Sequence, residues 1–384
     1  MTKQDPRLTK GNVLNIDGSR YEGGGGLIRY AINYSSLLSQ PIHIHSIRAK
    51  RLEVQGLRSE HTVAIDVLRQ LTAATVEGNT ARSSELHFSP HRDSETLQSE
   101  LSTTMDITTE GSASILLLSL LPYMLFAYIA PQVSQTGREV TNDQTFTLVI
   151  RAGTLCVKAP SIFYMKQVLL PTFNLIGIGP QNLSLSEEHE QGWHTQGAKY
   201  PGKMIVRIKP LAQSLPGFIL EQRGQVTKLR ATAHVPLEVL REFKEKLHVE
   251  LADLLSLKNA QGTPVEAEMD VFESAACGQY HLLLAVETAF PTAFLGYEEV
   301  YPQADRFPSD IQNDQAKIAE YLVRGCIRGI WKELKRGNAV DEHTEDILVM
   351  YQTLGSGFSS VTSDHNGRQV QEFNQNSKAL GRSH

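Results

Sequence analysis

Cysteine is scarce: the 384 residues hold three, Cys156, Cys277 and Cys326, far apart and outside any CxxC or Cys/His cluster. That excludes a disulfide framework and a cysteine-built zinc site, and free thiols fit a reducing, intracellular compartment. An excess of one charge sign is missing too. A formal net charge of −5 excludes a protein that coats nucleic acid electrostatically, so any RNA contact needs a local basic patch that neutralises few phosphates. The polar stretch Met1–Asn12 has no apolar signal-peptide core. Long hydrophobic runs are rare. The exception, Ser112–Ala130 (SASILLLSLLPYMLFAYIA), is uncharged and approaches the roughly 20 residues of a membrane span. Three serines and Pro122 interrupt it, and no Lys/Arg cluster flanks it. It reads as a helix buried on all sides in a fold core, not as a membrane span.

What is present is an ordinary globular balance, 41% hydrophobic and 21% charged, long enough for two domains and a sizeable core. Periodicity gives a recurring order of elements. Val13–Ile16 reads as a strand, Gly23–Gly26 as a loop, and Leu27–Leu38 as a helix through Leu27, Tyr30, Ala31, Tyr34 and Leu38. Ile42–Ile47 alternates as a strand, Glu60–Leu71 is helical, and two short strands near Thr75–Glu77 and Glu85–Phe88 close the unit. The same order returns in a second unit, with strands at Met105–Thr108, Phe146–Ile150, Asn182–Leu185 and Met204–Ile208 and helices at Ser112–Ala127 and Ser161–Leu175. The class is therefore α+β, with repeated strand-helix-strand-helix-strand-strand units in a large domain whose helices lie on one face of mixed sheets.

The pattern changes near Pro210. Strands at Gln225–His234 and Tyr280–Val286 and a charged amphipathic helix at Leu237–Leu255 read as a smaller α/β domain inserted at 210–295. Helices at Ala316–Leu334 and Thr344–Leu354 then belong to a partial third unit, 296–362. The expected division is thus an N-terminal tail, 1–12, two units at 13–209, the insert, the partial unit, and a polar tail, 363–384, too poor in apolar residues to order itself.

Two clusters carry chemistry. The run Gly23–Gly26 leads into a helix, where backbone N–H groups can approach an anion. No Gly-Lys-Ser/Thr follows, so it is not a P-loop, and GxGxxG is absent. Glu22, just before it, is a candidate ligand for a divalent metal or a solvated carboxylate. The second cluster is basic, Ile47-Arg48-Ala49-Lys50-Arg51 and then Gly56-Leu57-Arg58-Ser59-Glu60-His61. Arginine forks suit phosphate, so Arg48, Arg51, Arg58 and His61 form a candidate phosphate or RNA site; the alternative is a solvated charged face.

Taken in order, Ile-Asp-Gly, Glu-Gly-Gly-Gly, Arg29, Ile-Arg-Ala-x-Arg and Gly-Leu-Arg-x-x-His resemble the opening of the RNA 3′-terminal phosphate cyclase family. Further matches are Thr109-x-Gly111-Ser112, Gly153-Thr154, Ala159-Pro160, Glu221-x-Arg223-Gly224 with Val226-Thr227-Lys228, and Val340-Asp341-Glu342 with Asp346. The resemblance covers most of residues 13–360 and implies three repeated units with an inserted small domain. It also implies ATP and a divalent cation, Mg or Mn, as cofactors and RNA 3′ ends as partners, with no DNA and no membrane. The expected location is intracellular, nuclear in a eukaryote and cytoplasmic otherwise. By the same resemblance Glu22 is the metal-side carboxylate, Arg29, Arg48 and Arg51 face phosphates, and Pro160, His343 and Asp346 border the nucleotide. The implied reaction turns an RNA 3′-phosphate into a 2′,3′-cyclic phosphodiester through a histidine adenylate.

Departures from the family pattern point at the ATP pocket and the chain end. Leu118 stands where the family has glutamine, His343 where it has tyrosine, Ile347 where it has a second glutamine, and Pro201-Gly202-Lys203 replaces a glycine triplet. Each lost hydrogen bond weakens binding by about 0.5–1.5 kcal/mol. The family's His-Thr-x-Thr-Ala-like nucleophile segment is missing, which leaves terminal His384 as the catalytic candidate, with His365 the alternative by elimination. Three readings stand on the sequence: a cyclase whose C-terminal end is incomplete, a catalytically silent cyclase-like factor of RNA processing or ribosome biogenesis, and a small-molecule transferase of similar repeats, like the enolpyruvyl transferases.

Overall fold

The computed structural model describes residues 13–20, 23–52, 55–91, 100–107, 111–127, 145–189, 192, 202–255, 264–274 and 278–361. Glu22, His365, His384 and both expected tails lie outside them. Strand β1 (Leu14–Asp17) is followed by α1 (Gly25–Leu38), β2 (Ile42–His45), α2 (Ser59–Thr72), β3 (Thr75–Glu77) and β4 (Leu86–Ser89). The sheet order is β1-β2-β4-β3, with β1 parallel to β2 in the register Leu14↔Ile42 and β2 antiparallel to β4 in the register His43↔His87. Ile42 and Ile44 are buried while His43 and His45 are half-exposed, so the alternation that marks β2 in sequence is one face packed and one face wet.

The order then repeats. β5 (Glu100–Asp106), α3 (Ala113–Phe126) and β6 (Thr145–Ala152) lead into a rod made of α4 (Ile162–Tyr164), a π turn (Met165–Leu169) and α5 (Leu170–Leu175), then β7 (Leu183–His189) and β8 (Gly202–Ile208). The sheet order is β5-β6-β8-β7, the same topology as the first. The repeat expected from periodicity is therefore present in the backbone. α3 explains its own composition: it packs on α1 and α2 on one side and on β6 and β8 on the other, and nearly every residue is buried. Its Pro122 removes a helix N–H. The Asn33 amide of α1 bridges that turn, donating to Ser119 O at 2.8 Å and accepting from Tyr123 N at 2.9 Å. Among the described residues, no helix is long and apolar enough to cross a membrane.

A third sheet, ordered β10-β9-β11-β12, holds β9 (Val226–Val235), β10 (Glu266–Glu273), β11 (Tyr280–Thr288) and β12 (Phe294–Tyr301). Helices α6 (Leu240–Leu255) and α7 (Gln315–Arg336) cover it, and their apolar residues share its core, separate from the main one. β12 and α7 thus extend the small body's packing past residue 295. Segments 215–220 and 356–360 pair in parallel through bridges Pro216↔Ser356 and Ile219↔Ser360. Helix α8 (Glu342–Leu354) leads into the second of these segments and contributes Leu348, Met350 and Tyr351 to the main core. This is the β1-α1-β2 arrangement once more, with the small body placed inside its crossover.

Candidate functional site

Local geometry at the start of α1 follows from its glycines. Gly23 has φ +58°, and a Cβ there would run into the Gly18 carbonyl oxygen, so glycine alone makes this turn. Gly24 is the N-cap, no side chain caps the helix, and its first turn has no acid. That leaves the positive end of α1 open to an anion. A Cβ built on Gly25 would lie 2.9 Å from His61 Nε2, which puts the imidazole directly against this helix end.

His61 is the third residue of α2 and is buried. Arg58 donates its backbone N–H to His61 Nδ1 at 3.1 Å, so Nδ1 accepts and the ring hydrogen sits on Nε2, facing Gly25. Burial, followed by the charges of Arg29, Arg48 and Arg58, pushes its pKa down to about 3. The ring is a neutral donor at any physiological pH. Arg29 folds its guanidinium back along α1, with one nitrogen 3.8 Å from where a Gly26 Cβ would sit. Arg48 lies in the turn after β2, at φ +52°, and is 9% exposed. One of its nitrogens donates to Gly56 O at 3.3 Å. Its pKa is lowered, chiefly by burial and then by Arg58 and Arg51, against the opposing pull of Glu60. A buried cation crowded by other cations is costly unless an anion joins it.

Glu60 supplies the opposite charge. Its Oε1 meets Arg58 Nε at 3.2 Å, while its buried Oε2 has no hydrogen-bond partner. A Cβ on Gly111, just ahead of α3, would lie 3.2 Å from that Oε2. Beyond it Ser114 of α3 donates to Pro160 O at 2.6 Å, at the entry to α4. The starts of α1, α2, α3 and the α4 rod therefore form one continuous edge. α8 closes the flank: Tyr30 of α1 donates to Asp346 O at 2.5 Å. Asp341, the buried N-cap of α8, accepts from Tyr164 Oη at 2.5 Å and from Gly296 N at 2.8 Å. His343 is exposed, its ring edge-on to Tyr164 at 6.3 Å.

The sequence-predicted residues thus fall into two neighbouring groups. Arg29, Arg48, Arg58 and His61 come together at α1, with Arg51 beside Arg48. Pro160, His343 and Asp346 border the α3–α4–α8 side. Leu118 and Ile347 pack in or against the main core. Sequence reading gave no role to Glu60, although it sits inside a motif already singled out, between Arg58 and His61. It also gave no role to Tyr164, and it read Tyr30 only as part of a helical stripe and Asp341 only as part of a family match, because their contacts span more than 170 positions. The uncapped start of α1, with three arginines and a neutral imidazole donor beside it, can receive a multiply charged phosphate and bind it bidentately.

Comparison with known families identifies the class to which the chain belongs. The model of the RNA 3′-terminal phosphate cyclase family matches residues 20–381. The chain is 29% identical over 353 residues to an RNA 3′-terminal phosphate cyclase of Desulfurococcus amylolyticus, covering 91% of this chain and 87% of that protein. It is 25% identical to that of Staphylothermus marinus, over 90% of this chain and 86% of the relative. A probable RNA 3′-terminal phosphate cyclase of Dictyostelium discoideum is 23% identical, over 94% and 75% of the two chains. The chain belongs to the RNA 3′-terminal phosphate cyclase family.

Proposed function

We propose that this protein uses ATP to convert an RNA 3′-phosphate into a 2′,3′-cyclic phosphodiester. The observation that carries the reading is the convergence of Arg29, Arg48 and Arg58 on neutral His61 at the uncapped start of α1. On this reading the terminal phosphate sits on the α1 amides, Arg48 and Arg29 hold its oxygens, and His61 donates Nε2–H to one of them. Pro160, His343 and Asp346 border the nucleotide, and Arg51 extends the basic rim toward the RNA backbone. AMP, carried on a histidine, passes to the 3′-phosphate; the neighbouring 2′-OH then attacks that phosphorus and AMP leaves. Positioning and charge stabilisation supply the acceleration. The AMP-carrying histidine falls in 362–384, where His365 and His384 stand, and His384 is the one proposed.

The family also implies a divalent cation, Mg2+ or Mn2+, and the donor set suits one. Glu60 Oε2 is a buried, unpartnered carboxylate oxygen, the hard ligand these ions take; Glu22 is proposed as its companion. A cation held there would neutralise charge on the reacting phosphate. The division into two units, an inserted body and a partial unit is part of this reading, as is work on RNA ends inside the cell, in the nucleus if the organism is eukaryotic. The relatives' names favour the cyclase over the silent factor.

The test is incubation of the full chain with ATP, Mg2+ and an oligoribonucleotide ending in a 3′-phosphate. The expected product resists phosphatase and reverts to a phosphatase-sensitive end after acid opening of the cyclic phosphate. Binding of the oligonucleotide without conversion would select the silent factor instead. Labelling with α-labelled ATP, compared between the wild type and His384→Ala, decides the proposed nucleophile.

A further inference from the structure

The face of the first sheet opposite α1 and α2 is unusually rich in imidazole. The pleat that buries Ile42, Ile44, Leu86 and Phe88 against the core turns Asn15, His43 and His87 outward in one row across β1, β2 and β4, through the registers Asn15↔His43 and His43↔His87. The rings of His43 and His87 stack in parallel, with centroids 3.9 Å apart and planes inclined by 3°. Glu85 lies two residues before His87, on the same side of the strand, and its Oε2 is 3.8 Å from His43 Nε2. Donor atoms of His43, Glu85 and His87 all lie within 4.8 Å of one another.

Two further observations give this cluster a direction. His43 Nε2 is buried and has no hydrogen-bond partner, although an imidazole nitrogen on a half-exposed sheet face could readily find one. His43 Nδ1 faces Asn15 Oδ1 at 3.0 Å. An amide oxygen only accepts, and Asn15 Nδ2 is already committed to Val13 O. The hydrogen of His43 is therefore on Nδ1, and Nε2 presents a bare lone pair toward Glu85. A ligating histidine fixed in its tautomer by an oxygen acceptor behind it is the arrangement that orients imidazole toward a metal. The next histidine along β2, His45, faces Ser46 and Asp17 instead and is not part of the set.

We propose that His43, Glu85 and His87 form a binding site for a first-row transition-metal dication, with Zn2+ the best fit. Two imidazoles and one carboxylate select such an ion over Mg2+ or Ca2+, which prefer oxygen alone. Ligand bonds of about 2.0–2.2 Å need the three donors drawn slightly closer, within reach of side-chain rotation. A fourth position stays open to water. The site is separate from the phosphate corner, since α1 and α2 lie on the other face of the sheet. It would tie β2 to β4 just before the turn that carries Arg48, where Ile47 N already bonds Ser84 O at 3.0 Å.

The experiment uses the full chain, freed of metal by chelation and kept reduced. Titration calorimetry with Zn2+ is expected to show one saturable site, and Co2+ to give the visible absorption of a low-coordinate nitrogen–oxygen site. His87→Ala should abolish the cobalt spectrum and weaken Zn2+ at least tenfold. Asn15→Ala, which spares every ligand, should weaken it about tenfold. Melting curves without metal confirm that each variant is folded. Absence of Zn2+ binding in the intact chain, undiminished binding in His87→Ala, or equal competition by Mg2+ would each overturn the assignment.

Discussion

Arg48 combines two costs that are hard to explain without a ligand. It is nearly buried, and its backbone sits at φ +52°, a region that a non-glycine residue enters at an expense of about 1 kcal/mol or more. Among the described residues its guanidinium makes one hydrogen bond, to Gly56 O, which leaves most of the fork unspent. A bound phosphate would use it. Arg48→Ala is therefore expected to weaken a 3′-phosphorylated oligonucleotide by about 2 kcal/mol, roughly thirtyfold, with little effect on the same oligonucleotide ending in 3′-OH. Arg48→Lys should recover only part, because a point charge cannot bind bidentately. Equal loss for both oligonucleotides in fluorescence anisotropy would remove Arg48 from the phosphate site. Residue types that bind phosphate were legible in the sequence, because arginines and glycines cluster within short motifs. Glu60 was not, because its importance lies in burial and in an unpaired oxygen, and neither is written in a local pattern.

Among the elements, α1 shows most directly how a sequence choice serves a site. Glycine at the first position of a helix costs up to about 1 kcal/mol relative to alanine, yet Gly25 opens α1 where a methyl group would lie 2.9 Å from His61 Nε2. Gly25→Ala should raise or preserve the melting temperature through helix propensity while pushing the imidazole out of place. Binding of the 3′-phosphate is expected to fall several-fold in the variant. A variant with unchanged affinity would show that His61 does not approach the ligand from this side. Element order was readable for the same reason that the helices pack. The 3.6-residue and two-residue periods of the first two units are the buried stripes and faces themselves. β10 and β12 escaped that reading. β10 is an edge strand with a single well-buried position, Val271, and β12 carries Gly296 and Glu298, whose partners lie on other elements.

At the scale of the whole molecule, the small body is fastened to the large one by polar groups that depend on protonation. Glu298 of β12 accepts from Ser161 N at 2.8 Å, at the entry to the α4 rod, and its other oxygen faces His281 Nε2 at 3.2 Å. His281 Nδ1 in turn meets His234 Nδ1 at 3.2 Å, so only one of the two facing nitrogens can carry a hydrogen. Both rings are buried, against Phe163 of the large body. Burial, and then the charge of His281, hold the His234 pKa down to about 3, as burial and the arginines do for His61. Both groups ionise near pH 6.5 when the chain unfolds, so below that pH the unfolded state takes up protons that the folded state refuses. The stability these neutral rings allow is intact above pH 6.5 and is lost as pH falls toward 3. Each should cost about 2 kcal/mol on going from pH 6.5 to pH 5. Urea unfolding of the chain is expected to show that decline, and His234→Gln, which cannot be protonated, should remove about half of it. A stability that stays flat between pH 6.5 and 5, or a decline untouched by the substitution, would mean that the paired rings do not link the joint between the two bodies to pH.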